Sequence, residues 1–310
     1  MKRIVITEFM DETAVDGLKD SFEVIYDPNL VDREEELFGL LEKADAIIVR
    51  NRTQVRGKLL EAAPYLKVVG RLGVGLDNID MSACKDREIE VFPATGANDA
   101  AVAEYVITVV MMLFRRAYLS FIDMADGTWP RTQLMGNETS GKTLGLVGYG
   151  GIARETATRA VALGMKILAY DPYLPADHPA WTQAEKVELD RLLKEADAVS
   201  LHVPLTAETQ HLIDEKAIST MKKDAIVINA SRGGVVDDQA LVAALKSERL
   251  AGAALDVYEV EPLTEEFGKQ MKELKNLVLT PHIGGVTIES NIRVSAVTAQ
   301  NVRQALGEKQ

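Results

Sequence analysis

The chain of 310 residues is long enough for about two domains, and its 47% hydrophobic and 26% charged residues are ordinary for a globular protein. A formal net charge of −12 argues against nucleic acid or an anionic membrane as a partner, because both attract proteins of net positive charge. The single cysteine, Cys84, excludes an intramolecular disulfide and indicates a cytoplasmic location, and neither a leader nor a membrane-spanning stretch is predicted.

The first third of the chain alternates short apolar strands with amphipathic helices, one of them predicted at residues 33–43. This alternation predicts an α/β fold with a parallel, doubly wound sheet, because parallel strands need crossover helices. A mostly apolar helix at 99–116 is expected to be a buried connector between two domains. The strands expected before it are 4–7, 22–26, 46–50 and 66–71.

Residues 143–153 form an apolar strand, a glycine turn and the start of a helix. Gly148 permits the tight turn, and Gly150 lets the backbone approach a pyrophosphate without a Cβ in the way. Ala153 is small enough for close packing of the helix on its strand. The helix begins at Gly151, where free N–H groups face the phosphates, so the segment predicts dinucleotide binding; a plain strand–helix turn is the alternative.

An acidic residue ends the next predicted strand, 165–170. The carboxylate of Asp171 can accept hydrogen bonds from the adenosine ribose and would repel a 2′-phosphate. Pro172 and Tyr173 supply no cation for such a phosphate, so the sequence predicts NAD rather than NADP. The alternation then resumes, with strands at 198–203, 225–229, 252–257 and 277–280 and helices at 189–196, 215–221, 238–246 and 287–306.

Three polar residues each lie just past the end of a predicted strand: Arg232, Glu261 and His282. Ligands of open α/β sheets bind outside the carboxyl ends of the strands, so all three can face one crevice. An arginine can bind a carboxylate with two donors, and a histidine exchanges its proton near neutral pH. A glutamate beside the histidine would orient the ring and favour its protonated form. Together they suit oxidation of a 2-hydroxy acid. Considered singly, Arg232 could be a solvated surface cation and the Pro281–His282 pair a plain turn.

Six motifs follow one another along nearly the whole chain: GVGLDNID at 73–80, AVAEY at 101–105, GKTLGLVG at 141–148, HVPLT at 202–206, NASRGG at 229–234 and PH at 281–282. In these motifs the sequence resembles the D-isomer-specific 2-hydroxyacid dehydrogenase family, which includes 3-phosphoglycerate dehydrogenase and glyoxylate/hydroxypyruvate reductase. The resemblance implies a flavodoxin-like substrate domain at 1–98 and 286–310 and a Rossmann NAD-binding domain at 99–285. It also implies a homodimer, because residues 121–137, with Trp129 and Pro130, lie in the family's dimer-forming region.

The resemblance implies Arg232, Glu261 and His282 as the catalytic set, and no metal. Ala153 departs from the glycine more usual in the family's fingerprint. The residues expected around NAD are Gly148, Gly150, Gly151, Ile152, Asp171, His202, Pro204, Thr209, Ala230, Ser231, Arg232, Asp256, His282, Ile283, Gly284 and Gly285.

The substrate is expected to bind Arg232 and His282 together with residues of the first domain. The resemblance implies that Val74 and Gly75 bind the substrate carboxylate through backbone N–H groups, with Asn98 nearby.

Arginines near the ends of two first-domain strands, Arg50, Arg52 and Arg71, suggest a second anionic group on the substrate, a phosphate or a sulfonate; solvated surface arginines are the alternative. Among family members, 3-phosphoglycerate and 3-sulfolactate dehydrogenases use such substrates. The chain ends soon after its last predicted helix, which favours sulfolactate or another small acid slightly over phosphoglycerate. Two further alternatives are a glyoxylate/hydroxypyruvate reductase and, from another class, an NAD(H)-sensing corepressor-like binding protein.

Overall fold

The computed structural model describes residues 1–117 and 120–307, and it confirms the predicted α/β class. The chain divides into two units, Met1–Asn98 with Val286–Gln310, and Asp99–Gly285. Residues 308–310, the end of the predicted substrate domain, lie outside the described residues. Among the described helices, none is long and apolar enough to cross a membrane.

The first unit contains a parallel five-stranded sheet. Its strands are β1 (Arg3–Ile6), β2 (Glu23–Tyr26), β3 (Ala46–Val49), β4 (Val68–Arg71) and β5 (Glu90–Pro93). They lie in the order β2-β1-β3-β4-β5, the flavodoxin-like arrangement. The four predicted strands are present: β1 begins and ends one residue earlier than predicted, and the other three lie within slightly shorter bounds, whereas the edge strand β5 was not predicted.

Both faces of this sheet are covered, which explains why its central strands are continuous apolar runs. Ile4 and Ile6 of β1 face one buried cluster, and Val5 between them faces the other, because successive side chains point to opposite faces. The covering helices from this part of the chain are α1 (Glu12–Lys19), α2 (Glu34–Leu41), α3 (Lys58–Glu61) and α4 (Met81–Asp86), with a short 3-10 helix at Leu30–Asp32.

The second unit contains a parallel seven-stranded sheet. Its strands are β6 (Thr143–Val147), β7 (Lys166–Tyr170), β8 (Glu185–Lys186), β9 (Ala198–Leu201), β10 (Ile226–Asn229), β11 (Gly252–Leu255) and β12 (Leu277–Leu279). The order β12-β11-β10-β9-β6-β7-β8 is that of a Rossmann fold, with the change of direction between β6 and β9. Ligands bind at such a switch point, outside the carboxyl ends of the two strands.

The second unit also has helices on both faces of its sheet. They are α5 (Asp99–Arg115), α7 (Gly151–Ala162), α8 (Leu189–Glu195), α9 (Glu215–Thr220), α10 (Asp238–Lys246) and α11 (Glu265–Met271), with a 3-10 helix at Pro179–Gln183. The short helix α6 (Phe121–Ala125) follows α5 in the chain. The long helix α5 ends one residue before the predicted bound, and Val106 and Val110 on it pack against Leu146 and Ile228 of this unit's core.

The chain then returns to the first unit in α12 (Ile288–Ala305). A capping box fixes the start of this helix, because Thr287 and Ser290 each bond the other's backbone N–H. Val302 of α12 is fully buried among residues of β1, β3 and β4, so the C-terminal segment is part of the first unit's core.

Candidate active site

The glycine turn after β6 has the geometry that a dinucleotide phosphate needs. Gly148 has φ = +86°, and a Cβ there would lie 2.5 Å from the carbonyl oxygen of His202, so only glycine fits. At Gly150 a Cβ would meet nothing within 4 Å, which leaves open space in front of the turn. The helix α7 begins directly afterwards at Gly151, and its N-cap residue, Gly150, makes no side-chain cap hydrogen bond. These residues fit a pyrophosphate held by backbone N–H groups.

The acid after β7 is tied to this turn. Oδ2 of Asp171 accepts the backbone N–H of Tyr149 at 2.9 Å. Its Oδ1 accepts the N–H groups of Tyr173 at 2.9 Å and Leu174 at 3.1 Å. Because each carboxylate oxygen has two lone pairs, Oδ2 can still accept one hydroxyl donor, such as a ribose hydroxyl.

The loop after β9 forms the other side of the switch point. The backbone N–H of His202 bonds to the carbonyl oxygen of Val147 at 2.7 Å, and Nε2 of its ring lies 3.0 Å from Oγ of Ser200. Burial lowers the pKa of the His202 imidazole to about 4, so the ring is neutral at pH 7. The hydroxyl of Thr209 donates to the carbonyl oxygen of Pro204 at 2.6 Å and closes the loop.

The segment that carries Arg232 is shaped by one buried amide, Asn229 at the end of β10. Its Oδ1 accepts from both the N–H and the hydroxyl of Ser231, and its Nδ2 donates to the carbonyl oxygen of Arg232 at 2.9 Å. At Gly233 a Cβ would lie 1.7 Å from the carbonyl oxygen of Tyr258. The Arg232 segment therefore packs directly, backbone to backbone, on the loop that carries Glu261.

The predicted acid–base pair is in contact. Nδ1 of His282 lies 2.8 Å from Oε2 of Glu261, and Oε1 of Glu261 accepts the N–H of Tyr258 at 3.1 Å. Burial by itself raises the pKa of the Glu261 carboxyl, but the hydrogen bond and charge of His282, the Tyr258 N–H and the Arg232 charge outweigh it, so the pKa lies below its usual value. Glu261 is therefore ionised at neutral pH beside the imidazole.

His282 itself is held in a left-handed backbone conformation, φ = +56°, which is uncommon for a residue with a side chain. The nearby carboxylate of Asp256 accounts for this. Its Oδ1 accepts the hydroxyl of Thr280 at 2.6 Å and the N–H of Ile283 at 2.8 Å, and its Oδ2 accepts the N–H of Gly284 at 2.7 Å. Asp256 thus anchors the segment on both sides of His282.

The first unit contains the other residues expected to bind the substrate, besides Arg232 and His282 of the second unit. Val74 and Gly75 lie in the loop after β4, where the guanidinium of Arg71 covers Gly73 so closely that a Cβ would lie 1.8 Å from Nη1. Oδ1 of Asn98 is buried and, within the described part of the chain, has no hydrogen-bond partner.

The loop after β3 carries the other two arginines. The buried carboxylate of Glu8 accepts the backbone N–H groups of Arg50, Arg52 and Thr53 and so fixes this loop. Arg50 bonds to Asn291 and lies over the ring of Phe9, and burial lowers the pKa of its guanidinium. Arg52 forms an exposed ion pair with Asp32, so a partner within the protein already neutralises one of the predicted cations.

Comparison with known proteins agrees with this geometry. Residues 107–284 match the family model described as "D-isomer specific 2-hydroxyacid dehydrogenase, NAD binding domain". The chain belongs to this family. Being a member, it is a D-2-hydroxyacid dehydrogenase that acts on a CH–OH group with a nicotinamide dinucleotide.

Two curated relatives of this dehydrogenase match over nearly their whole length. A protein of Chromohalobacter salexigens, "(S)-sulfolactate dehydrogenase", is 53% identical over 99% of both chains. A "hydroxypyruvate reductase" of Thermotoga maritima is 38% identical over 98% of both. Among solved structures, a D-lactate dehydrogenase of Aquifex aeolicus, complexed with NAD and lactic acid, is 30% identical with a TM-score of 0.84 and covers 98% of this chain and 95% of that one.

Several residues that shape the site were absent from the sequence prediction. Asn229 and Glu8 act through side-chain bonds to backbone groups. Thr280 donates its hydroxyl to the carboxylate of Asp256, and Tyr105 places its hydroxyl 2.6 Å from Oγ1 of Thr280. For Asn229, Thr280 and Glu8 the available signal was a position at or just past a strand end, where a polar residue follows a buried apolar run.

Proposed function

We propose that this dehydrogenase interconverts a D-configured 2-hydroxy acid and its 2-oxo acid with NAD, using Arg232, Glu261 and His282. The observation that carries the proposal is the 2.8 Å contact between Nδ1 of His282 and Oε2 of Glu261, on a loop packed against the Arg232 segment. Since Glu261 engages Nδ1, the other ring nitrogen, Nε2, is the one that takes the hydroxyl proton of the substrate. The ionised Glu261 stabilises the imidazolium that forms.

In the same proposal, Arg232 binds the carboxylate of the substrate. A guanidinium binds a carboxylate with two parallel hydrogen bonds, which fixes C2 of the acid relative to His282. When bound, NAD would supply the acceptor for the hydride of C2. His282 takes the hydroxyl proton, so the alcohol would lose two electrons and become a ketone. Val74 and Gly75 add backbone donors to the carboxylate. Asn98 is a further candidate for substrate contact, since its buried Oδ1 has no hydrogen-bond partner among the described residues.

The proposed cofactor is NAD rather than NADP. Asp171 supports this choice, because a 2′-phosphate on the ribose would meet its carboxylate, which Tyr149, Tyr173 and Leu174 hold in place. The ratio of kcat/KM with the two cofactors tests the proposal. We expect a preference for NAD of about a hundredfold or more, since close repulsion between two anions costs several kcal/mol; comparable efficiencies would contradict it.

The proposed substrate is 3-sulfolactate of the S configuration, which has the same spatial hand as a D-hydroxy acid. Support comes from the 53% identity to the (S)-sulfolactate dehydrogenase and from Arg71, whose guanidinium lies over the loop expected to bind the acid. Hydroxypyruvate or glyoxylate is the second candidate, favoured by the 38% identity to the hydroxypyruvate reductase and by the pairing of Arg52 with Asp32.

A panel assay of NADH absorbance distinguishes these substrates. Both enantiomers of 3-sulfolactate are compared with 3-phosphoglycerate, D-glycerate and D-lactate, each with NAD, and the 2-oxo acids with NADH. We expect the highest kcat/KM for (S)-sulfolactate. A higher value for D-glycerate would favour the second candidate, whereas NADH binding without turnover on any acid would favour a corepressor-like binding protein.

We also propose that the enzyme is a cytoplasmic homodimer. The segment after α5 supports the dimer, because Phe121 is 80% exposed and Trp129 and Met135 are each 75% exposed. The end of this segment is fixed to α5, since the N–H of Asn137 bonds to the carbonyl oxygen of Phe114 at 2.7 Å. Light scattering should give twice the mass of the 33.9 kDa chain; a monomer mass independent of concentration would contradict this.

A further inference from the structure

The structure assigns a role to Trp181, a residue outside every motif of the sequence. We propose that Trp181 is a positioning residue that holds Asp171 in place for the adenosine ribose. The inference rests on the proposed function insofar as Asp171 binds the ribose of NAD. Trp181 lies in the 3-10 helix Pro179–Gln183, between β7 and β8.

Trp181 contacts the glycine turn through Tyr149. The two rings are stacked, with centroids 5.0 Å apart and planes at 12°. The Tyr149 side chain is 1% exposed, and in the described part of the chain its hydroxyl has no hydrogen-bond partner. Stacking and packing, rather than a hydrogen bond, therefore hold this ring. The backbone N–H of the same residue is the donor to Oδ2 of Asp171.

Trp181 also contacts the loop that follows Asp171. Its indole Nε1 donates to the carbonyl oxygen of Pro175 at 2.8 Å, and so fixes the end of a loop whose N–H groups, at Tyr173 and Leu174, bond to Oδ1 of Asp171. One aromatic side chain thus supports the donors to both oxygens of the Asp171 carboxylate.

A lysine completes the arrangement. Nζ of Lys186 in β8 lies 5.3 Å from the Trp181 ring centroid, and it donates to the carbonyl oxygen of Leu174 at 3.0 Å. The ammonium therefore contacts the indole face and the Asp171 loop together. Removal of the indole would take the stacking partner from Tyr149, the donor from the carbonyl of Pro175 and the aromatic face from Lys186. The N–H donors to the Asp171 carboxylate would then lose this support.

The primary test measures cofactor binding to the full-length protein. We expect Trp181→Ala to raise the Kd for NADH by about tenfold, the usual effect of losing one well-placed charge-assisted hydrogen bond. ADP-ribose has the adenosine ribose but no nicotinamide, and its Kd, measured by calorimetric titration, should rise by the same factor. The kcat at saturating cofactor should stay within about twofold, because the reacting groups are untouched.

A double-mutant cycle with Asp171→Ala separates positioning from general loss of structure. If Trp181 acts through Asp171, then Trp181→Ala in the Asp171→Ala background should change the Kd by less than about twofold. Leu274→Ala, which truncates a half-buried core side chain before β12, is the control for stability and should leave the NADH affinity unchanged. Should Trp181→Ala fail to fold, Trp181→Phe keeps the stack and loses only the donor to Pro175, and an increase of about threefold is expected.

Any of three results for Trp181→Ala would overturn the inference. They are an unchanged Kd for NADH, an unchanged affinity for ADP-ribose, and an increase in Kd that is as large in the Asp171→Ala background as in the wild-type background. Its failure can be told apart from that of the proposed function. A wild-type protein that binds NADH but oxidises none of the acids would remove the proposed activity, while the same titrations would still test Trp181.

Discussion

Among single residues, Arg52 can show whether the substrate has a second anionic group. Its ion pair with Asp32 is exposed, so a substrate anion can compete for the guanidinium. We expect Arg52→Ala to raise KM for 3-sulfolactate by about tenfold and KM for glyoxylate by less than about twofold, because only the former has a second anion. Asp32→Ala, which frees the arginine, should lower KM for 3-sulfolactate. Equal effects of Arg52→Ala on both acids would exclude a second anionic group.

The buried imidazole of His202 predicts a pH dependence of stability. Its pKa is about 4 in the folded protein, below the ordinary value of 6.5, so the unfolded chain takes up the proton first. The contribution to stability is complete above pH 6.5 and is lost as the pH falls towards 4. Between pH 7 and pH 5 the free energy of unfolding should fall by about 2 kcal/mol from this group.

Urea unfolding of wild type and His202→Gln at the two pH values measures this loss. The glutamine does not titrate, so the excess of the wild-type free energy of unfolding over that of the variant should be smaller at pH 5 than at pH 7 by about 2 kcal/mol. Asp238, whose pKa burial raises to about 6, contributes with the opposite sign but is common to both proteins and cancels. A difference that stays constant with pH would contradict the prediction.

At the scale of elements, the site depends on two loops packed backbone to backbone. A Cβ at Gly233 would lie 1.7 Å from the carbonyl oxygen of Tyr258, so Gly233→Ala must separate the Arg232 segment from the Glu261 loop. We expect kcat/KM to fall by about a hundredfold, the usual consequence of displacing a reacting group by about 1 Å.

Gly39→Ala is the matched control, because a Cβ at that exposed position of α2 would meet nothing within 4 Å. It should leave kcat/KM unchanged and raise stability by about 0.5–1 kcal/mol, as expected for alanine in a helix. Wild-type kcat/KM in Gly233→Ala would show that the close packing of the two loops is not needed for activity.

The elements themselves could be predicted because each has a local pattern. The run Ala46–Val49 is apolar throughout, and the glycine turn at Gly148 has a fixed spacing between strand and helix. The edge strand β5, with Glu90 exposed, has no such run and was missed. The bonds of Asp256 could not be predicted either, since they reach residues 24 and 28 positions away and periodicity carries no information at that distance.

At the scale of the whole molecule, the groups proposed for cofactor binding and proton transfer all belong to the second unit, Asp99–Gly285. They come from loops after β6, β7, β9, β10, β11 and β12, and all these strands are parallel. The sheet therefore brings residues as far apart in sequence as Gly148 and His282 to the same edge. The first unit supplies the remaining candidates, Arg50, Arg52, Arg71, Val74, Gly75 and Asn98.

The central claim is that His282, held by Glu261, exchanges the proton of the reaction. The most direct test is kcat of His282→Gln for oxidation of the best acid of the panel with NAD, with the Kd for NADH measured on the same sample. We expect kcat to fall by about a thousandfold, the contribution of a positioned acid–base group, while the Kd changes by less than about threefold. Turnover of His282→Gln at the wild-type rate would contradict the claim.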